Sequence, residues 1–132
     1  MKRMLRWIPA LLWMAVIFWL SSRTGNELGA MFPLVEKWLP WLGGFNFGHF
    51  VAYFILALCY WWAIGSHRWS AKLLIILLCV LYGASDEYHQ TFVEGRYADW
   101  VDLRNDAIGA ALAVCFVSIP YVRKQLGKLH IP

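Results

Sequence analysis

Residues 85–106, SDEYHQTFVEGRYADWVDLRND, hold six of the eight acidic residues of a 132-residue chain that is 61% hydrophobic. The same stretch carries two arginines and a histidine. It lies between two strongly apolar runs, residues 73–84 and 107–122. The fold therefore depends on how this polar stretch is placed relative to the apolar runs on either side of it.

The composition excludes an ordinary water-soluble domain. Such domains are about 45–50% apolar and about 25% charged, whereas this chain is 61% apolar and 15% charged, with a mean hydropathy of +0.52. Four stretches are almost free of charge: 7–22, 50–66, 73–85 and 107–122. The pattern predicts an all-α polytopic membrane protein with four transmembrane helices, forming a single domain over residues 1–132.

The first apolar stretch is predicted to remain in the mature protein as a signal anchor. It follows a basic N-terminus, as a secretory signal peptide would. Bulky Trp19 and Leu20, however, stand where a cleavage site needs small residues.

Charge orients the four predicted helices. With the N-terminus inside, the cytoplasmic segments carry eight basic residues and the outer segments four, which fits the positive-inside rule. All eight acidic residues fall outside. We therefore expect a multi-pass membrane protein with both termini cytoplasmic. The net charge of +4 reflects this asymmetry and does not indicate a nucleic-acid partner.

The lengths of the apolar runs place the polar stretch in the membrane. A span needs about 20 residues, but the third run, 73–85, has 13 and the fourth, 107–122, has 16. We expect the third helix to run from Ala71 to Gln90 and the fourth from Asp102 to Tyr121, with the second between Phe47 and Ser66. This predicts a polar site at the outer ends of three helices, formed by His49, Asp86, His89, Asp102 and Asn105.

Helical periodicity gives these polar residues common faces, because positions three and four apart lie on the same side. The third helix aligns Tyr82, Asp86, His89 and Gln90, and the fourth aligns Asp102, Asn105, Asp106 and Gly109. Small residues are expected to bring these two helices close together. They are Gly83, Ala84, Gly109 and Ala110. A turn at Glu94-Gly95 would let Arg96 fold back over the carboxylates.

Two further segments complete the predicted architecture. The outer segment 23–46 is expected to contain a short amphipathic helix on the membrane surface. Its apolar residues are Met31, Phe32, Leu34, Val35, Trp38 and Leu39. The three cysteines lie singly in three apolar runs, without metal-ligand spacing, and are interpreted as small hydrophobic residues.

Three pieces of sequence resemble the VanZ-like family of small bacterial membrane proteins. They are FWLSS at residues 18–22, GHFVAYFILAL at 48–58, and YGASDEYHQTFVEGRYADWVDLRNDAIGAALA at 82–113. The resemblance implies signature residues at His49, Asp86, Glu87, His89, Gln90, Arg96, Asp102 and Asn105, beside Gly95 and Gly109. Asp99, Arg104 and Asp106 fall outside that pattern and are given less weight. Ser21 and Ser22 match the motif and are interpreted as helix caps.

The resemblance also implies a place in the cell envelope. The family's namesake confers low-level resistance to the glycopeptide antibiotic teicoplanin, so the expected partners are membrane lipids, a lipid-linked envelope precursor or a lipoglycopeptide. No cofactor and no oligomeric state follow from the sequence.

The residues leave several functions open. In an enzyme, His49 or His89 would act as general base or acid, oriented by Asp86 or Asp102, and Arg96 would bind an anionic group. The candidate catalytic residues are His49, Asp86, Glu87, His89, Arg96 and Asp102, and the candidate substrate-binding residues are Tyr82, Gln90, Arg96 and Asn105.

Three alternatives stand beside catalysis. A metal-dependent variant would use His49, Asp86 and His89 as ligands with Glu87 nearby, although no metal motif is present. A binding protein would hold a lipid headgroup or lipoglycopeptide without chemistry. A purely structural network would pair Arg96 with a carboxylate and His49 with Asn105.

Overall fold

The computed structural model describes residues 2–24, 26–27, 30, 37 and 45–128, and the regular secondary structure among them is entirely helical. The all-α class is therefore confirmed for this part of the chain. The helices are α1 (Lys2–Leu5), α2 (Ile8–Ser21), α3 (Phe45–Ile64), α4 (Trp69–Gln90), α5 (Trp100–Ser118) and α6 (Pro120–Lys128). The apolar residues of the expected amphipathic outer segment, Met31, Phe32, Leu34, Val35, Trp38 and Leu39, lie outside the described residues.

Two of the described helices are long and apolar enough to cross a bilayer. They are α3, through its 18-residue stretch Phe47–Ile64, and α4, which has 22 residues. Helices α5 and α6 together would make a third span, but they are bent by 73° at the break between them. The apolar helix α2 is shorter, with 14 residues. The described structure thus contains two candidate spans, or three if the bent pair is one span.

The end of α5 differs from the expected end at Tyr121. Helix α5 stops at Ser118, and Ile119 is extended with ψ of 126°. The cause is Pro120, whose ring disfavours helical backbone at the preceding residue and which has no N–H to continue the ladder. Proline is well suited to the first turn of a helix, so it begins α6 instead. The expected end of the third helix at Gln90 is confirmed.

Helix α5 lies at the centre of the bundle and packs most extensively against α3, then against α4. Its small residues Ala110 and Ala113 are buried against Leu56, Ile75 and other apolar side chains of those two helices. Interhelical hydrogen bonds attach α2 to this core. Trp13 Nε1 donates to the Ala52 carbonyl at 2.8 Å, and Tyr82 donates to the Met14 carbonyl at 2.6 Å.

The outward surface of α4 is apolar over several turns. Leu73, Leu77 and Leu81 follow each other at four-residue spacing and are 52–62% exposed. A continuous exposed leucine stripe is unfavourable in water, whereas a bilayer accommodates it. This surface, together with the lengths of α3 and α4, indicates a membrane protein.

The small residues make only part of the contact expected of them: Gly83 allows α4 and α5 to approach, but Gly109 does not. A Cβ added to Gly109 would lie 2.5 Å from the backbone oxygen of Phe50, so Gly109 allows α5 to approach α3 and not α4. Gly83 faces the side chain of Asp106, and Ala84 is exposed. Gly83 thus allows α4 to approach one side of α5, and Gly109 allows α3 to approach another side.

We expect Gly109→Ala to lower the free energy of unfolding by about 1–3 kcal/mol, because the added methyl group meets backbone that cannot rotate away. The matched control is Gly48→Ala on α3, where an added Cβ meets no heavy atom of the described residues within 4 Å. That variant should be neutral or more stable by up to about 1 kcal/mol, through helix propensity. Thermal unfolding of both variants in detergent measures the difference. Equal melting temperatures would contradict the close approach of α5 to α3.

Candidate functional site

The buried polar side chains of the described residues gather at one end of the bundle. They come from the end of α2, the start of α3, the end of α4 and the first half of α5, and each is at most 9% exposed. We call this group the polar site. Its members are Ser21, His49, Asp86, Glu87, Gln90, Asp102, Asn105 and Asp106. Acidic residues are rarely buried unless they are paired, so each has to be explained by its partners.

The closest charged contact of the site joins α3 to α5. His49 Nδ1 lies 2.8 Å from Asp106 Oδ1, and Asp106 is fully buried. An ionised carboxylate only accepts hydrogen bonds, so Nδ1 is the donor and Nε2 of the neutral ring carries the lone pair. Nε2 faces Asp102, whose Oδ2 is 3.7 Å away. The pair thus presents an oriented imidazole to a second carboxylate.

Gly83 makes room for this arrangement. A Cβ at Gly83 would collide with Oδ2 of Asp106, which lies against the backbone of α4 at this point. Asp106 is therefore enclosed between α3 and α4.

Two serines at the end of α2 reach the site. Ser21 Oγ donates to Asp86 Oδ2 at 2.9 Å. Ser22 Oγ lies 3.0 Å from His89 Nε2 and also donates to the Phe18 carbonyl at 2.7 Å. The His89 ring lies 4.2 Å from the Phe18 ring. The interpretation of both serines as simple helix caps is thus incomplete, because each also contacts a polar residue of α4.

The connection between α4 and α5 folds back onto the site. Gly95 has φ of +74°, which places the turn where it was expected. Arg96 follows and donates from Nε at 3.2 Å, and also from Nη2, to Oε1 of Gln90. Gln90 Nε2 in turn donates to Asp86 at 3.2 Å. Arg96 thus reaches the carboxylates through Gln90.

Glu87 is held by the start of α5. Its Oε2 accepts the backbone N–H of Asp99 at 2.7 Å. Asp99 also caps α5, since its side chain accepts the N–H of Val101 at 2.8 Å. Asp99 falls outside the family pattern in the sequence, yet its backbone N–H orients the buried carboxylate of Glu87.

The structure brings together most, but not all, of the predicted site residues. His49, Asp86, Glu87, Gln90, Asp102 and Asn105 lie in the polar site, with Arg96 half-buried beside it. His89 lies half-buried at its edge. The hydroxyl of Tyr82 is engaged by the backbone of α2, so its expected role in substrate binding has no support from its contacts.

Asp106 has a larger part in the polar site than the sequence pattern predicts. Asp106, and not Asn105, is the residue that bonds His49, while Asn105 Oδ1 accepts from Arg104 at 3.1 Å. The available signal was periodicity: Asp106 is four residues after Asp102 and three before Gly109, on the buried face of α5.

The metal ligands expected from the sequence, His49, Asp86 and His89, are not the three residues that converge in the structure. Asp86 and His89 are engaged by Ser21 and Ser22. In the part of the chain that the structure describes, the group whose ligand atoms lie within 4.8 Å of one another is His49, Glu87 and Asp102, all of them buried.

Comparison with known proteins gives one family and one relative. The VanZ/LLP1 family model matches residues 6–121. An uncharacterized protein of Schizosaccharomyces pombe is 31% identical over 84 residues, which cover 63% of this chain and 51% of that protein. The chain thus matches about half the length of this relative. No solved structure matches the chain. Because the family model covers most of the sequence, including the whole polar site, the chain belongs to the VanZ/LLP1 family.

Proposed function

We propose that the chain is a bacterial plasma-membrane protein with four spans, cytoplasmic termini and a polar site on the outer face. Aromatic contacts support a common basic end opposite the polar site. Arg6, before α2, lies over the Trp62 ring near the end of α3, at 5.1 Å, and Lys72 lies over the Trp69 ring at the start of α4, at 4.9 Å. Basic residues mark the cytoplasmic side of a membrane protein. Helix α2 would be the fourth span, extended by the residues on either side of it.

Substituted-cysteine labelling tests this topology. In a chain with Cys59, Cys79 and Cys115 replaced by alanine, we expect Glu94→Cys to react with a membrane-impermeant maleimide added to intact cells. The matched variant Lys124→Cys on α6 should react only after the membrane is permeabilised. The reverse pattern, or labelling of both positions from one side, would refute the proposed orientation.

The polar site acts chemically on the headgroup of an outer-leaflet lipid or of a lipid-linked envelope precursor. The observation that carries this proposal is the oriented His49: Nδ1 is bonded to Asp106 at 2.8 Å, and Nε2 faces Asp102 at 3.7 Å without a hydrogen bond. A histidine held by a carboxylate at one nitrogen is suited to act with the other. That nitrogen can accept a proton or bind a cation. Phosphoryl, acyl and glycosyl transfer all remain compatible with this set of groups.

Unsatisfied acceptors favour a ligand-binding role over a network that only fastens helices. Among the described residues, Asp86 Oδ1, Asp102 Oδ1 and Asp106 Oδ2 are buried without a hydrogen-bond partner. Interhelical hydrogen bonds in membranes are worth only about 0.6 kcal/mol on average, and leaving buried acceptors unpaired costs about 1–3 kcal/mol each. The hydrogen bonds of a purely structural network would therefore not offset the cost of burying these acceptors. A substrate or ion would supply the missing partners.

The residues around the site support a lipid as the substrate. Tyr88, Phe92, Tyr97 and Trp100 flank it and are 68–85% exposed. Exposed tyrosine and tryptophan are typical of the interface between hydrocarbon and headgroups. Arg96, half-buried beside Gln90, supplies positive charge suited to a phosphate.

A non-catalytic role is the second candidate, and the same aromatic rim favours it. The site would then hold a lipid headgroup or an acylated glycopeptide such as teicoplanin at the membrane surface. In the first case a lipid is converted, and in the second it is only bound.

Lipid conversion distinguishes the two roles. We expect the purified chain, in nanodiscs of bacterial total lipid supplemented with a lipid-linked cell-wall precursor, to convert one lipid species, measured by mass spectrometry. His49→Gln and Asp106→Asn should each slow conversion by at least about 100-fold, because they remove the oriented imidazole. Glu94→Gln, on the exposed turn, is the matched control and should retain the wild-type rate. Retained lipid without any conversion in the wild-type chain would leave the binding role and exclude the enzymatic one.

Antibiotic susceptibility gives a cellular readout. We expect expression of the chain in a teicoplanin-susceptible bacterium to raise the minimal inhibitory concentration, and His49→Gln, at equal protein level, to abolish the increase. An unchanged susceptibility with the wild-type chain would remove glycopeptide resistance from the proposal.

A further inference from the structure

We infer that His49, Glu87 and Asp102 bind one divalent transition-metal cation, Zn²⁺ or Mn²⁺, with Asp106 and the Asp99 backbone as orienting partners. This deepens the proposed function and rests on it for the lipid headgroup, while cation binding itself is independent of lipid.

The three residues come from three helices and converge at one point. One ligand atom of each lies within 4.8 Å of those of the other two, and all three residues are buried. Atoms bound at about 2.0–2.2 Å from one ion lie up to about 4.4 Å apart. Small rotations of the carboxylates are therefore enough to bring all three atoms onto a common ion.

Two of the ligands are already oriented in the way that metal ligands are. His49 donates its Nδ1–H to Asp106 Oδ1 at 2.8 Å, so Nε2 is left as the ligand atom. Glu87 Oε2 accepts the Asp99 N–H at 2.7 Å, and Oε1 accepts only a long hydrogen bond from Gln90 Nε2, at 3.4 Å. A metal-binding histidine almost always donates its other nitrogen to a carboxylate, carbonyl or water. The Asp106–His49 pair has this form.

Asp102 supplies an independent observation. Its side chain is 10% exposed, and Oδ1 is buried without a hydrogen-bond partner among the described residues. Its other oxygen, Oδ2, is 3.7 Å from His49 Nε2, which is too far for a hydrogen bond. The two atoms thus face each other without a hydrogen bond, and a cation between them would give both a partner.

The mixture of donors selects the class of metal. Imidazole nitrogen suits Zn²⁺ and other first-row metals, and carboxylates suit Mn²⁺ as well. Three protein ligands leave at least one coordination position open, as in catalytic zinc sites. In the membrane this position would accept an oxygen of the headgroup, most simply of a phosphate.

Metal titration of the full-length chain tests the inference. The detergent-purified chain, stripped with a chelator, should bind one Zn²⁺ or one Mn²⁺ per chain and melt at a higher temperature with the ion. Glu87→Gln and Asp102→Asn should abolish stoichiometric binding, and Asp106→Asn should weaken affinity by about 10–100-fold. The control is Glu94→Gln on the exposed turn, which removes a carboxylate outside the polar site, so affinity should stay at the wild-type value.

Two results would overturn the assignment: a wild-type chain that binds no stoichiometric ion, or a folded Asp102→Asn variant that keeps the ion at the wild-type affinity. If the ligand variants do not fold, pulsed electron paramagnetic resonance of Mn²⁺ in the wild-type chain decides. Coupling to an imidazole nitrogen is expected, and its absence refutes ligation by His49. Lipid conversion by a wild-type chain that binds no ion would refute the cation site and leave the proposed function standing. Stoichiometric ion binding without lipid conversion would support the cation site and exclude the enzymatic role.

Discussion

The buried carboxylate of Asp106 is the constraint on which the rest of the structure depends. It lies on the central helix α5, fully buried, with His49 of α3 on one side and the backbone of α4 at Gly83 on the other. A buried carboxylate is tolerated only with a hydrogen-bonding or charged partner. Helix α3 must therefore place His49 next to Asp106. Gly83 and Gly109 then allow the helices to come close enough for the contact to form. The positions of three helices are thus coupled at one buried contact between a histidine and a carboxylate.

The remaining polar groups extend this coupling to α2 and to the α4–α5 connection. Ser21 attaches the end of α2 to Asp86, and Gln90 joins Asp86 to Arg96. The Asp99 backbone connects the cap of α5 to Glu87. Helices α4 and α5 supply most of the buried polar groups, which explains why the polar residues are dense in sequence between 85 and 106. The end of α2 adds Ser21 and Ser22, and α3 adds His49.

The sequence predicted the class of the fold and most members of the site, because both depend on local patterns. Hydropathy located the apolar helices, and the requirement for a span of about 20 residues placed the end of α4 at Gln90 correctly. The same rule failed at α5, since Pro120 ends that helix at Ser118 whatever the membrane thickness demands. The residue of α5 that bonds His49 could not be predicted from the sequence. Periodicity put Asn105 and Asp106 on one face, but only the packing of α5 against α3 decides which of them meets His49.

The burial pattern also explains why this end of the bundle is chemically distinct from its opposite end. At the basic end, Arg6 and Lys72 lie over exposed or half-buried aromatic rings, where water and headgroups can solvate the charge. At the polar end, four carboxylates are buried, and three of them retain an oxygen without a hydrogen-bond partner among the described residues. Packing alone does not require such groups, because apolar residues of similar size would fill the same space at lower cost. Their presence supports the proposal that the site binds a ligand, and the contact of His49 with Asp106 is the reason for centring that proposal on His49.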